Sequence, residues 1–478
     1  MRLGIVGLGA SGRAAAEVAT TLGAVVAGYD ASAAAVEAAA ADLPGATLAH
    51  VADPAALAAA VLDGGPDVVV VSPGVPSHAP LYGAAAAAGV PVWSEVELAW
   101  RVRAPRADGT HAPWLTLTGT NGKTTTVGML SAMLQAGGLT APAVGNVGEP
   151  IVRVAAAGGV DALAVELSSF QLHSTHSVAP LASACLNIAA DHLDWHGGWE
   201  GYWTDKARVF ARTELACVYS TADRQTRRMV EEAEVAEGCR AIGFRLGSPA
   251  VGEVGLVEDV LVDRAFVAER RTHAAELGTL ADLAQLAPRE GGDVPPHVIA
   301  NALAAAALAR AAGVEPGAVR GALRSFRPDH HRIELVGTVG GVAWVNDSKA
   351  TNAHAARASL AALPDGTAVW IAGGLAKGAT FDELVAEVAV KLRAVVLIGK
   401  DRAPLRDALA RHAPQVPRFE VEAGDDGEVM RQAVVAASRL ARPGDTVMMA
   451  PASASMDQFV SYAHRGEAFT RAVAELEG

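Results

Sequence analysis

The sequence predicts an α/β protein of three domains, and three observations carry that reading. Runs of Val, Ile and Leu recur in three groups, separated by alanine-rich stretches. Two glycine-rich turns, at residues 4–12 and 116–126, each follow an apolar run and precede a helical one. Two polar, proline-broken segments, Arg101 to Pro113 and Ser325 to Arg332, separate the groups.

In chain order the first group is "LGIVG", "AVVAGYD" and "DVVVVSPG", the second "WLTLTG", "DALAVELSS" and "ASACLNI", the third "AVWIAGG", "AVVLIGK" and "DTVMMAPAS". Unbroken apolar runs belong to strands buried on both faces, and helices between them belong to parallel crossovers. Alanine is the strongest helix former, so the alanine runs read as those helices. "IELVGTVGGVAWVND" reads as a strand pair at the start of the third group. The expected domains are residues 1–105, 106–327 and 328–478, with the second boundary near Pro328. Residues 245–296, rich in Glu, Gly and Pro, yield no assignable element.

The chain of 478 residues carries a net charge of −13, which argues against nucleic acid as a partner. No apolar run approaches the roughly 18 residues of a membrane span. Strand residues start at Arg2, which leaves no room for a cleavable leader, so a cytoplasmic location is expected. Three scattered cysteines build neither a disulfide framework nor a zinc site. Of 39 cationic residues only six are lysine: Lys123, Lys206, Lys349, Lys377, Lys391 and Lys400. Lysine offers a compact charge and a titratable amine where arginine offers neither. The first four sit in glycine-, threonine- or acid-rich motifs, and Lys391 and Lys400 read as surface residues.

Gly7, Gly9 and Gly12 fit G-x-G-x-x-G after a strand, with Asp30 ending the next strand. That geometry holds a diphosphate at a helix N-terminus, and a dinucleotide and a nucleotide sugar fit it equally. The second turn, Gly119-Thr120-Asn121-Gly122-Lys123-Thr124-Thr125, precedes Val127, Leu130 and Leu134 at helical spacing. Backbone amides, the Lys123 amine and the Thr124 hydroxyl would serve a triphosphate and its Mg²⁺. The usual first glycine of such a loop is replaced by Leu117. An ATP-driven ligase acting on a nucleotide-linked substrate uses both turns. An NAD-dependent oxidoreductase or a nucleotide-binding switch uses only one. His192 and His196 have the spacing of zinc ligands on a helix, but lack a clear third ligand.

"TGTNGKTTT", "AVELSSFQL", "NIAADHLDWHG", "YWTDKARVF", "HRIE", "VNDSKATN", "AGGLAKG" and "MAPASASMDQF" occur in the order found in the Mur ligases of peptidoglycan synthesis, which the chain resembles along nearly its whole length. "NDSKATN" and "PASASMDQF" resemble the D-glutamate-adding branch. The resemblance implies an N-terminal Rossmann-like UDP-binding domain, a central P-loop ATPase-like domain and a C-terminal Rossmann-like domain. It implies ATP-dependent joining of D-glutamate to UDP-N-acetylmuramoyl-L-alanine through an acyl phosphate. It further implies a monomer with two Mg²⁺ sites.

The residues it carries over follow that division. Lys123, Glu166, His192, Lys206 and Lys349 would act at the reacting groups, with Thr124, Glu166, His192 and a carbamylated Lys206 serving Mg²⁺. Gly119 to Thr125, Asn301, Arg332 and Asp347 would hold ATP. Gly9, Ala10, Ser11, Ser72, Gly74, Asn146 and His192 would hold the UDP-linked substrate. Thr351, Lys377, Ser455 and Tyr462 would hold D-glutamate. Ala31-Ser32, Val298, Leu375 and Tyr462 depart from the residues the family usually places there.

Overall fold

The computed structural model describes all residues except 288–290, 328–330, 377, 423 and 477–478. The chain divides into two compact units, Met1–Thr279 with Ala300–Leu323, and Leu280–Ile299 with Arg324–Gly478. The boundary expected near Pro328 lies outside the described residues.

The first unit holds two sheets. One has five parallel strands in the order Thr47–His50, Val25–Asp30, Arg2–Val6, Val68–Val71 and Val92–Ser94. The four valines of Val68–Val71 are all buried, as a strand covered on both faces requires. The glycine turn crosses from Val6 into the helix Ala10–Thr21.

The second sheet has nine strands. Trp114–Thr118, third from one edge, is buried at every residue and flanked in parallel by Leu163–Glu166 and Ala182–Cys185. Burial of each such apolar side chain contributes about 1.5–3 kcal/mol, so this strand is a firm base for the loop that follows it. At one edge Glu253–Val257, Val260–Asp263 and Ala275–Thr279 extend the sheet, the last two pairings antiparallel. This is the region the sequence left unassigned. Its strands are as long as those of the parallel core, but glutamate, glycine and threonine interrupt the apolar residues of the first and the last.

The second unit is built on six strands in the order Glu334–Val339, Val342–Asn346, Thr446–Met449, Ala368–Gly373, Leu392–Ile398 and Arg418–Glu420. The first pair is antiparallel, matching the expected strand pair, and the others are parallel. Trp344 and Trp370 are buried on it, and Trp370 Nε1 donates to Ala450 O at 2.7 Å. Among the described residues, no helix is long and apolar enough to cross a membrane.

Candidate active site

The phosphate loop leaves the buried strand Trp114–Thr118 and turns at Gly119–Gly122 into the helix Lys123–Ala136. Gly122 caps that helix at φ +82°, a conformation L side chains disfavour. A Cβ there would also stand 2.5 Å from Asn301 Oδ1, so the residue must be glycine on two counts. Leu117, where the usual first glycine would fall, is a fully buried strand residue paired beside Glu166 and Ala184. The sheet continues through it, and the loop is therefore shorter than the common pattern.

Lys123 Nζ lies along this loop, donating to Gly119 O at 2.9 Å and Thr120 O at 3.1 Å. The Thr120 hydroxyl meets Tyr202 Oη at 2.8 Å and accepts from Ala189 N at 2.9 Å. Its role here is to brace the loop. Asn187 Oδ1 accepts from Asn121 N at 3.0 Å, and Asn187 Nδ2 donates to Asn121 O at 3.1 Å. Thr124, the second helical residue, is buried beside them, and Thr125 is half-buried. A helix N-terminus with a lysine and a hydroxyl in its first turn is an anion site.

Two further groups converge on the same strand ends. Glu166 is the last residue of its strand and 1% exposed. Its Oε1 accepts from Asn146 Nδ2 at 2.9 Å, while the buried Oε2 has no hydrogen-bond partner among the described residues. A buried carboxylate oxygen left without a partner costs about 1–3 kcal/mol or more, so the site is suited to a cation. Lys206, 2% exposed, donates from Nζ to Gly119 O at 2.9 Å and Thr118 Oγ1 at 3.3 Å. Burial, and then the charge of Lys123, push its amine down to about 7, against the pull of Cys185, Asp191 and Glu166.

His192 caps the one-turn helix Leu193–His196 in a left-handed conformation, φ 50°. It therefore does not share a helical face with His196, and the zinc-like spacing carries no zinc geometry. Among the described residues no group of three or more His, Cys, Asp or Glu could hold a metal ion. Mg²⁺ does not require such a cage, because it is commonly held by one or two carboxylates together with substrate phosphates. Glu166, with its unpartnered oxygen, and the Thr124 hydroxyl fit that style of binding.

At the N-terminal turn, Gly7 sits at φ +89°, and a Cβ on Gly12 would stand 1.8 Å from Gly7 O. Gly9 and Gly74 have open space around the same position, and Ala10 is exposed. Asp30 Oδ2 receives Leu8 N at 2.6 Å and braces the turn, while its Oδ1 receives Ser32 N at 2.7 Å ahead of the next helix. Ser72 Oγ donates to Gly7 O at 2.7 Å, which makes it a brace as well.

The Ser11 hydroxyl bonds Glu95, a carboxyl that is 2% exposed and also receives Val152 N at 3.4 Å. Burial raises Glu95 to about 7, only partly offset by Ser11, Val152 and the charge of Arg153. A raised acid stabilises the fold below its unfolded value near 4.5 and loses that contribution as pH rises through 7. The parent should therefore lose up to about 3 kcal/mol across that window that Glu95→Gln does not lose. Unfolding midpoints of both proteins at pH 5 and pH 8 test this, and parallel pH dependences would refute it.

In the second unit, Lys349 Nζ donates to Tyr462 Oη at 2.9 Å. Tyr462 thus gives the lysine a partner that phenylalanine could not. The buried Arg465 donates to Ser348 O, Ser348 Oγ and Ser453 O, fixing the loop that carries Lys349. Asp347 is buried, receives the Ser359 hydroxyl and lies near Arg332. Burial raises its carboxyl to about 6. Thr351 N donates to Lys349 O at 2.8 Å, and Ser455 is 4% exposed. Lys377 lies outside the described residues.

Residues 117–309 match the Mur ligase middle domain, and residues 331–453 match the Mur ligase glutamate ligase domain. The chain belongs to the Mur ligase family. It is 55% identical to the UDP-N-acetylmuramoylalanine--D-glutamate ligase of Streptomyces avermitilis over 418 residues, 87% of this chain and 86% of that protein. It is 49% identical to the enzyme of the same name from Leifsonia xyli over 488 residues, 100% of this chain and 93% of that protein. Among solved structures, UDP-N-acetylmuramate-alanine ligase from Thermotoga maritima superposes with a TM-score of 0.55 at 17% identity, over 99% of each chain. That likeness concerns the fold. As a Mur ligase, the protein is an ATP-dependent ligase.

This Mur ligase also uses residues the sequence reading did not single out. Asn187 pairs with the phosphate loop, Tyr202 holds Thr120, and Asp205 receives two histidines. Asn187 and Tyr202 stand inside the quoted motifs "NIAADHLDWHG" and "YWTDKARVF", Tyr202 one helical turn before Lys206. Asp205 precedes Lys206 directly. Only the three-dimensional pairing separates these residues from ordinary turn and helix residues.

Proposed function

We propose that this Mur ligase joins D-glutamate to UDP-N-acetylmuramoyl-L-alanine, with ATP cleaved to ADP and phosphate. The support is the 45–55% identity to relatives that share one name, together with the gathering of Lys123, Glu166 and Lys206 around one phosphate loop. A carboxylate is a poor electrophile. Transfer of the γ-phosphoryl group to the L-alanyl carboxylate creates an acyl phosphate, the D-glutamate amine attacks its carbonyl carbon, and phosphate leaves as the amide forms. Lys123 and the helix N-terminus neutralise charge on the transferred group, and positioning supplies much of the remaining rate.

Mg²⁺ bound at Glu166 and Thr124 would neutralise charge on the phosphate oxygens. On this reading His192 and Lys206 serve a second such ion. An amine near neutrality inside the protein can add CO₂, releasing one proton and leaving a carbamate anion on the lysine arm. That anion suits a cation beside Glu166 as the bare amine does not. Thr351, Lys377, Ser455 and Tyr462 hold D-glutamate, with Lys349 near the transferred phosphoryl group. Gly9, Ala10, Ser11, Ser72, Gly74 and Asn146 shape the site of the UDP-linked substrate. ATP and a UDP-linked precursor together put the reaction in the cytoplasm.

The deciding experiment measures ADP release and amide formation with UDP-N-acetylmuramoyl-L-alanine and a panel of amino acids. D-glutamate alone should drive both, in equal amounts. ADP release that needs no amino acid would replace the ligase reading with a nucleotide switch. Turnover with a different amino acid would reassign the substrate.

A further inference from the structure

Asp205 is 4% exposed and sits between two histidines. His173 Nδ1 lies 2.9 Å from its carboxylate, and His196 Nδ1 lies 2.7 Å from Oδ2. A carboxylate can only accept, so both imidazoles donate through Nδ1. On the other side of its ring, His196 Nε2 lies 2.9 Å from Ser169 Oγ. Arg208 Nε stands 3.4 Å from the other oxygen. Burial would raise the Asp205 carboxyl, but the two histidines outweigh it and hold the group below the usual carboxylate value.

Ser169, His196 and Asp205 repeat the order of a hydrolase relay. Ser169 is 4% exposed and His196 7%, so no solvent-borne carbonyl reaches that hydroxyl. The arrangement holds parts together instead. His173 ends the one-turn helix Ser169–His173, which follows the strand of Glu166. His196 ends the one-turn helix Leu193–His196, which His192 caps. Helices this short do not stand alone in water, so tertiary anchors must set their place. Phe170 carries the anchoring further, with its ring against His192 at 4.9 Å and stacked on His196 at 5.5 Å. Ser77 Oγ donates to Trp195 O at 2.7 Å and ties the same turn to the N-terminal sheet's loop. Asp205 itself belongs to the helix Trp199–Ala207, which also sets Tyr202 and Lys206 on the phosphate loop.

We propose that Asp205 is a positioning residue for the ligase reaction: with His173 and His196 it fixes the rotation of the Lys206 helix and the seat of His192. The inference rests on the proposed roles of Lys206 and His192.

Asp205→Ala in the full-length protein should lower kcat by about 10–100-fold, the range for loss of a group that orients a reacting one. KM for ATP should stay within about twofold, because Lys123 and its helix are untouched. Amide hydrogen exchange should rise across residues 169–173 and 192–207 and not elsewhere. Asp205→Asn can keep both contacts if His173 adopts its other neutral tautomer, and should retain kcat within about threefold. If Asp205→Ala does not fold, His196→Phe, which keeps a ring but loses both bonds, is judged by the same criteria. A kcat within about threefold of the parent in the truncating variant, or equal losses in the Ala and Asn variants, would overturn the positioning role. If the parent forms no amide at all, the functional reading fails, while the exchange measurement still decides whether Asp205 holds these segments.

Discussion

Lys123→Ala is expected to lower ATP-dependent amide formation by about 10³-fold, the upper range for removing one preorganised charge partner from a reaction centre. Lys123 Nζ stands within 3.1 Å of Gly119 O and Thr120 O, above a helix that begins at that same residue. Its charge adds to the positive end of the helix at the point where a triphosphate's last group would sit. Lys123→Arg should not restore activity. A planar guanidinium carries more donors on a longer arm and cannot lie between two loop carbonyls as a compact ammonium does. The chain uses arginine for most of its cations, so its lysine here is a chemical choice. Lys123 is also the second cause of the low Lys206 value, after burial. Removing it should raise the Lys206 amine, which a ¹³C or ¹⁵N titration of that side chain would report. An unchanged Lys206 value together with normal turnover would remove Lys123 from the proposed machinery.

The fold was legible where the chain follows one rule for many residues. Parallel strands buried on both faces announce themselves as unbroken apolar runs, and Val68–Val71 and Trp114–Thr118 are that pattern in its plainest form. The antiparallel edge, Glu253–Val257 through Ala275–Thr279, was not legible because Glu253, Gly255, Glu276, Gly278 and Thr279 break its apolar runs. In the site, glycine and lysine could be read because each does something other residues cannot. Gly122 stands at positive φ against Asn301, and Lys206 is a cation buried without a neighbouring carboxylate bond. The braces were harder to read. Ser72 is expected beside the UDP-linked substrate, and its hydroxyl also donates to Gly7 O, a bond the sequence does not show. Nothing in the sequence shows that His173 and His196 face Asp205.

The second large effect concerns Lys206. Replacing it with alanine should reduce amide formation by about 10²–10³-fold, and a short carboxylate such as acetate or formate should restore part of that activity. The reasoning is electrostatic. In the present structure the amine points at Gly119 O and Thr118 Oγ1 and shares a buried region with the cationic Lys123. An ammonium there would add positive charge beside the Glu166 side expected to take a cation, and burial already disfavours it. Conversion to a carbamate reverses the sign at the same arm length. With the amine at about 7, the reactive neutral form should grow from a minority at pH 6 to most of the population at pH 8. Incorporation of ¹³C-bicarbonate at Lys206 should rise across that window, and activity in CO₂-depleted buffer should recover on adding bicarbonate. Lys206→Arg should be as inactive as the alanine variant, since arginine keeps the charge but cannot form the carbamate. Full activity in the arginine variant would mean that Lys206 acts as a simple cation, and the carbamate would then have no place in the reaction.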